Sequence, residues 1–305
     1  MRCVRTGSRL HWGPLNWPGS DDPRPDFGGL GLMVDAFATV VLAEPADRWN
    51  ETITSRASLH RAVADRQPQA VAIERTAPPH RGLGSGTQRE LAVAVAAGLP
   101  VEAESLAAAT GRGVRSAIGL HGFCRGGLIL DAGRDTGEAI GRLHTRIDFP
   151  DWPLLLVRLT DEPAVSGPAE REHFARLPPM PAEVRRRLRH DAETILAAAA
   201  ERDLDRFAAS LTRFGRGVGD FFAPVQGGPF GDARWLSLGP KLEAAGCGYA
   251  QSSWGPTVAV VGDLTAARTI LAGAADLQTV AARNVGASIQ SSTETTTEAT
   301  AEADR

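Results

Sequence analysis

Short apolar segments alternate with turns rich in glycine and proline along the first half of this 305-residue chain. Runs of strand length predict β-strands at residues 4–11, 38–43, 70–75 and 128–131. Helical periodicity predicts α-helices at residues 58–67, 85–97 and 102–109. Residues 27–34 resume an apolar pattern, and the glycines within it indicate close approach of the backbone to a neighbour or a ligand.

The pattern changes near residue 150, where an apolar strand is followed by a mostly helical region. Strands are predicted at residues 152–159, 258–261 and 279–285. Helices are predicted at residues 181–200, 204–219 and 265–272, with another that ends at residue 245. This order predicts an α+β protein with two domains, residues 1–150 and 151–286. Residues 287–305 end in Ser, Thr, Glu and Ala without apolar periodicity and are predicted to be a disordered tail.

The composition is that of an ordinary globular protein, with 43% hydrophobic and 23% charged residues. A formal net charge of −3 gives no general attraction to nucleic acids or to membrane surfaces, so neither is expected as a partner. The three cysteines are far apart in sequence, which favours reduced thiols. Together with the lack of a long apolar run or an export signal, this favours a cytoplasmic location.

A glycine-punctuated segment at residues 78–88 (PPHRGLGSGTQ) joins a predicted strand to a predicted helix. Its glycines allow a ligand to approach the backbone, and Ser85 and Thr87 lie at the start of the helix. Free amides and the positive end of the helix dipole favour phosphate there, and Arg81 would add charge-assisted hydrogen bonds. The spacing matches neither a P-loop nor G-x-G-x-x-G, and local chemistry alone also fits a turn that caps the helix.

Two further segments, residues 6–11 and 246–257, place this loop in the middle of three, an order that resembles the GHMP kinase superfamily. Within it, the chain resembles the β-ribofuranosylaminobenzene 5'-phosphate synthase family. The resemblance is carried by residues 8–11 (SRLH), 82–88 (GLGSGTQ), 113–127 and 251–257 (QSSWGPT). It implies a two-domain fold with an N-terminal mixed α/β domain, which contains the phosphate-binding loop, and a C-terminal ferredoxin-like α+β domain.

The resemblance also implies a reaction. Synthases of this family join phosphoribosyl pyrophosphate to 4-aminobenzoate or 4-hydroxybenzoate with Mg²⁺, release pyrophosphate and carbon dioxide, and act in tetrahydromethanopterin biosynthesis. The implied catalytic residues are Arg9, His11 and Arg125. The implied phosphate-binding residues are Arg81, Gly82, Gly84, Ser85, Gly86 and Thr87. The other implied substrate contacts are Gln251, Ser252, Ser253 and Trp254. The sequence identifies no metal ligand and leaves the oligomeric state, including a homodimer, open.

Two alternatives remain, a small-molecule kinase on the same fold and an inactive ligand-binding homologue. Several superfamily kinases carry a catalytic aspartate upstream of a Gly-Gly pair, but here the residues around Gly119, upstream of Gly126 and Gly127, are not acidic. The only lysine, Lys241, is distant as well, and both departures favour the synthase. Asp35 and Asp131 lie at predicted strand ends and could hold Mg²⁺, although a capping role fits such positions better.

Overall fold

The computed structural model describes residues 1–17, 26–160 and 168–291, with only the backbone described for residues 168–171. The strands are β1 (Arg2–Gly13), β2 (Gly29–Pro45), β3 (Gln69–Arg75), β4 (Leu128–Asp131), β5 (Leu143–Ile147), β6 (Leu154–Arg158), β7 (Gly248–Gln251), β8 (Thr257–Val261), β9 (Asp276–Val280) and β10 (Ser288–Ser291). The helices are α1 (Glu51–Thr54), α2 (Ala57–Ala62), α3 (Ser85–Ala96), α4 (Ala103–Thr110), α5 (Ile118–Arg125), α6 (Pro168–Ala175), α7 (Ala182–Glu201), α8 (Leu204–Gln226), α9 (Trp235–Ala244) and α10 (Leu264–Ile270).

The first sheet is antiparallel and runs β10-β1-β2-β4-β5, with β3 also paired to β2. Strand β2 is long enough to pair with β4 through residues 29–32 and with β3 through residues 40–45. Its two predicted segments therefore form one strand. The strand is irregular between them, where Phe37 has a positive φ of 44° and the register against β1 shifts.

The second sheet is also antiparallel and has the order β7-β8-β6-β9. Helices α7 and α8 follow β6, and α10 connects β8 to β9, which gives the βαββαβ order and the strand arrangement of a ferredoxin-like fold. Both the α+β class and the ferredoxin-like C-terminal part predicted from the sequence are confirmed. The division at residue 150 stays a prediction, because one hydrophobic core contains residues from both sides of it, Leu10 and Phe207 among them.

Alternation along β6 explains why this strand is apolar throughout. Leu154 and Leu156 contribute to the core that also contains residues of β1 and α8, whereas Leu155 and Val157 face a separate core with Trp235. Successive side chains of a strand point to opposite faces, so a strand between two cores has no polar face. A third core packs α3, α4 and α5 against β1 and β2.

Helix α5 is the main element that the sequence did not predict. Its glycines at 119 and 122 lower the intrinsic helical propensity, and they are present because of close packing. A Cβ atom at Gly122 would lie 2.5 Å from the sulfur of Met33 in β2, and one at Gly119 would lie 3.2 Å from Thr87 in α3. The close packing that requires glycine at these positions thus also removes the helical signal from the sequence.

The predicted tail is wrong for its first residues. Strand β10 pairs with Arg2–Arg5 of β1, because the open edge of that strand supplies backbone hydrogen-bond partners that need no apolar side chains. Residues 292–305 of the predicted tail lie outside the described residues. Within the described ranges, no helix is both long and apolar enough to cross a bilayer.

Candidate active site

The three glycine-rich segments predicted from the sequence meet at one place, and Ser252 joins them. The amide of His11 donates to the Ser252 hydroxyl oxygen (3.0 Å), and the hydroxyl donates to the carbonyl oxygen of Gly82 (2.6 Å). The amide of Ser253 donates to the carbonyl oxygen of His11 (2.6 Å). Strand β1, the loop before α3 and the turn between β7 and β8 are therefore fixed to one another.

Two of the glycines are required because the backbone of the loop before α3 packs directly against the backbone of the turn between β7 and β8. Gly82 has a φ of +78°, and a Cβ atom there would lie 2.4 Å from the carbonyl oxygen of Ser252. A Cβ atom at Gly255 would lie 2.3 Å from the Cα atom of Gly82. Any side chain at either position would separate the loop from the turn.

The start of α3 presents open backbone amides. Gly84, the N-cap, is in the left-handed conformation, and no side chain caps the helix. The first intrahelical bond runs from Gln88 N to Gly84 O (3.0 Å), so the amides of Ser85, Gly86 and Thr87 precede it. These residues line a groove of about 360 Å³. Uncapped amides and the helix dipole make this groove suitable for an anion.

Arg9 lies between two helix starts. Its Nε atom is 3.0 Å from the position a Cβ atom would take at Gly84, before α3, and 3.5 Å from that position at Gly119, in the first turn of α5. This Nε is buried and has no hydrogen-bond partner among the described residues. Burial lowers the pKa of Arg9 to about 10, so the guanidinium stays protonated at neutral pH. A cation beside two positive helix ends creates a strong demand for a bound anion.

The groove opens into a larger cavity of about 500 Å³ with an aromatic wall. The two share Arg9, Thr87, Arg112, Ser253 and Trp254. The aromatic residues of the wall are Trp12, Trp17, Phe27, Phe174, Phe222 and Trp254. All of them except Trp12 pack on one another, with ring centroids 4.6 Å apart for Phe174 and Trp254. An anion groove thus adjoins an apolar cavity suited to a planar ring.

His11 lines this cavity in its neutral form. Burial, together with the charges of Arg9 and Arg115, lowers the pKa of its imidazole to about 3. The Nε2 atom is buried without a hydrogen-bond partner among the described residues. His11 can therefore offer a hydrogen bond to a ligand near neutral pH, but it does not supply an imidazolium proton.

The low pKa of His11 predicts a pH-dependent stability. The value is about 3 in the folded protein and 6.5 in a model compound, so between these pH values the unfolded chain binds the proton more readily. Stability is then lost as the pH falls, by about 2 kcal/mol at pH 5 relative to neutral pH. Urea unfolding of the wild type and His11→Gln at pH 7.5 and pH 5 measures this loss. Equal losses in the two proteins would show that His11 is not its source.

Most of the site residues predicted from the sequence line the groove or the cavity. They are Arg9, His11, Gly82, Gly84, Ser85, Gly86, Thr87, Gln251, Ser253 and Trp254. Gln251 is partly committed, because its amide oxygen accepts from Gly231 N (2.8 Å) and its amide nitrogen donates to Ser253 O (3.0 Å). Ser252 is fully buried, and its hydroxyl is used within the scaffold.

Arg125, which is predicted to be catalytic, lies apart from the groove and the cavity. It is exposed at the carboxyl end of α5, whereas the cavity is lined by residues 111–116, which precede the amino end. Eight helical residues separate the two ends by about 10 Å. Because helix α5 was not predicted, nothing in residues 113–127 indicated which end of the segment faces the cavity.

Arg81 also lies away from the groove. It lines a separate cavity of about 90 Å³ that contains Arg158 and Asp276. The backbone turns at this point, and the carbonyl oxygen of Arg81 accepts a hydrogen bond from the Thr257 hydroxyl (2.6 Å). The groove is lined instead by Arg9, Arg89 and Arg112.

Arg112, Arg115 and Ser116, which were not among the predicted site residues, line the cavity from the connection between α4 and α5. The guanidinium carbon of Arg115 lies 5.1 Å from the ring centroid of Phe174. The available signal is a pair of arginines in a segment that contains Gly111 and Gly113.

The described residues that line the groove and the cavity include no aspartate or glutamate. The Asp131 carboxylate accepts from the amides of Ala117 (2.7 Å) and Gly133 (2.9 Å), which is a capping role at the start of α5. The Asp35 carboxylate forms an ion pair with Arg283, with 3.7 Å between Oδ1 and Nη1. The described part of the site therefore offers no carboxylate ligand for Mg²⁺.

No protein-family model matches the chain. The solved structure of phosphomevalonate kinase from Streptococcus pneumoniae superposes with a TM-score of 0.67 at 13% identity, over 92% of this chain and 99% of that one. This similarity shows the fold, and the predicted GHMP kinase fold is confirmed.

Sequence relatives are closer. The β-ribofuranosylphenol 5'-phosphate synthase of Archaeoglobus fulgidus is 31% identical over 87% of this chain and 89% of its own length. The protein of the same name from Methanothermobacter thermautotrophicus is 30% identical over 85% of this chain and 88% of its own length. From this similarity over nearly the whole of both chains, the protein belongs to the β-ribofuranosylphenol 5'-phosphate synthase family, a family of enzymes, here built on the GHMP kinase fold.

Proposed function

We propose that this enzyme condenses phosphoribosyl pyrophosphate with 4-hydroxybenzoate or 4-aminobenzoate, releases pyrophosphate and carbon dioxide, and forms a C-riboside 5'-phosphate for tetrahydromethanopterin biosynthesis. The observation that carries the proposal is the position of Arg9, a half-buried cation whose buried Nε atom lies between two helix starts, at the junction of a groove suited to an anion and an aromatic cavity. The names of the relatives, synthases of a ribofuranosylphenol phosphate, favour 4-hydroxybenzoate as the acceptor.

The groove would act on the leaving group. Negative charge develops on the pyrophosphate as its bond to the ribosyl carbon breaks. The amides of Ser85, Gly86 and Thr87, with the Arg9 guanidinium, are already oriented around the groove where that charge would form. Mg²⁺ is proposed as the counter-ion that the pyrophosphate brings with it, since the described lining offers no carboxylate for the metal.

The cavity would hold the acceptor. Aromatic residues in edge-to-face contact, such as Trp254 and Phe174, support a planar ring and exclude water, which would otherwise hydrolyse the oxocarbenium-like ribosyl carbon. Arg115 lies against Phe174 and is well placed to bind the carboxylate of the acid before it leaves as carbon dioxide. The ring carbon that bears the carboxylate forms the new bond to the ribosyl carbon, and loss of carbon dioxide restores the aromatic ring.

The kinase alternative lacks support from the described site. Transfer of a phosphoryl group to a hydroxyl usually employs a carboxylate as base, and the described lining residues contain none. The inactive alternative requires only that the ligands bind.

One experiment tests all three functions. The protein is incubated with phosphoribosyl pyrophosphate, Mg²⁺ and either benzoate labelled at the carboxyl carbon, and labelled carbon dioxide and pyrophosphate are both quantified. We expect the two products in equal amounts. Binding of phosphoribosyl pyrophosphate without either product would support the inactive alternative, and ATP turnover with a hydroxylated acceptor would support the kinase.

A further inference from the structure

The large cavity has a second polar end, formed by residues 112–116 immediately before α5. The first backbone hydrogen bonds of α5 are donated by Leu120 and His121 to Ala117 O. The amides of Ile118 and Gly119 precede them, as those of Ser85, Gly86 and Thr87 do in α3. The Asp131 carboxylate accepts from the amide of Ala117, the N-cap, and the amides of Ile118 and Gly119 leave the positive end of a second helix dipole directed toward this part of the site.

Two buried polar atoms at this end have no partner among the described residues. The hydroxyl oxygen of Ser116 is buried and makes no hydrogen bond. The Nε atom of Arg9 is also buried without a hydrogen-bond partner, and it lies 3.5 Å from the position that a Cβ atom would take at Gly119. Buried polar groups in folded proteins nearly always have partners, so both atoms indicate a ligand that supplies acceptors here.

The two helix starts are held at a fixed separation. The side-chain nitrogen Nε2 of Gln88, in α3, donates to the carbonyl oxygen of Gly119, in α5 (2.9 Å). The amide oxygen of Gln88 accepts from the Thr6 hydroxyl of β1 (2.8 Å). This buried chain of hydrogen bonds fixes the start of α5 relative to α3 and β1.

We infer that Ser116 and the start of α5, with Arg112 shared between them and the groove, form a second anion subsite, which binds the 5-phosphate of the ribosyl substrate while the α3 groove binds its pyrophosphate. The inference rests on the proposed function and adds a reason for substrate choice. Phosphoribosyl pyrophosphate carries phosphate groups at both ends, whereas a nucleoside triphosphate carries them at one end and a base at the other. A site with two anion subsites selects the first kind of ligand.

The test uses probes that carry only one of the two anionic ends. Calorimetry measures the affinities of ribose 5-phosphate and of pyrophosphate, and also that of 4-hydroxybenzoate, for the 305-residue chain and its variants. Ser116→Ala should weaken ribose 5-phosphate binding about tenfold and leave pyrophosphate binding unchanged, because it removes one donor at the α5 end. Gly86→Ala should do the reverse, since its methyl group meets no protein atom within 4 Å and would enter the groove. Ser105→Ala should change neither affinity, because Ser105 is a half-buried serine of α4 that lines neither the groove nor the cavity.

Three results would overturn the inference. They are unchanged ribose 5-phosphate affinity in Ser116→Ala, an equal loss for both probes, and a selective loss of 4-hydroxybenzoate binding, which would assign the end to the carboxylate. None of these measurements needs turnover. A protein that shows the expected reciprocal losses but makes no product from phosphoribosyl pyrophosphate would therefore contradict only the proposed function.

Discussion

Replacing Arg9 with methionine should lower kcat/KM for phosphoribosyl pyrophosphate by about 10³-fold while raising the stability of the ligand-free protein. The loss follows because the guanidinium lies between the starts of α3 and α5, where the charge of the leaving group would develop. The gain follows because the Nε atom is buried without a partner, and a methionine of similar length removes that cost, about 1 kcal/mol or more. Steady-state kinetics and urea unfolding without ligand measure the two effects.

The opposite signs make this prediction specific. Arg5→Met provides the matched control, because Arg5 is an exposed residue of the same strand, and it should change neither activity nor stability appreciably. Pyrophosphate should raise the melting temperature of the wild type and of Arg5→Met but not that of Arg9→Met. An Arg9→Met protein that is less stable than the wild type without ligand would mean that Arg9 already has an anionic partner within the chain.

The groove at the start of α3 could be predicted from the sequence because its determinants are local. A strand, a glycine-rich loop and a helix follow one another within residues 69–96, and the amides at the helix start depend on little else. The family resemblance then placed this loop in a site with the first and third segments, and the structure brings those segments together through Ser252.

The sequence was least informative where a residue's position depends on contacts with distant parts of the chain. Ser252 bonds residues 241 and 170 positions away in the chain, so its role within the scaffold has no local signature. The segment that contains Arg125 was not predicted to be a helix, because Gly119 and Gly122 lower its helical propensity. The direction of this helix determines which of its ends faces the cavity. Arg112 was missed for the same reason. Glycines that serve packing and glycines that serve a ligand look alike in a sequence.

Gly255 provides the second large expected effect, on stability and activity together. A Cβ atom at this position would lie 2.3 Å from both the Cα and N atoms of Gly82 and 2.5 Å from the carbonyl carbon of Arg81. All three are backbone atoms, so no side-chain rotation can relieve the contact. Gly255→Ala should therefore destabilise the protein by about 3 kcal/mol and separate the turn from the groove. Urea unfolding and product assays measure both consequences.

The matched control is Gly273→Ala, an exposed position where a Cβ atom meets nothing within 4 Å and which should have near-wild-type stability and activity. In Gly255→Ala, the hydrogen bonds that Ser252 makes to Gly82 and His11 should be strained, because the turn that presents Ser252 must move. Activity at saturating substrate should then fall as well as affinity, since Arg9 and the α3 amides lose their relative placement. A variant as stable as Gly273→Ala would show that the turn and the groove do not touch, and the site would need a different assembly.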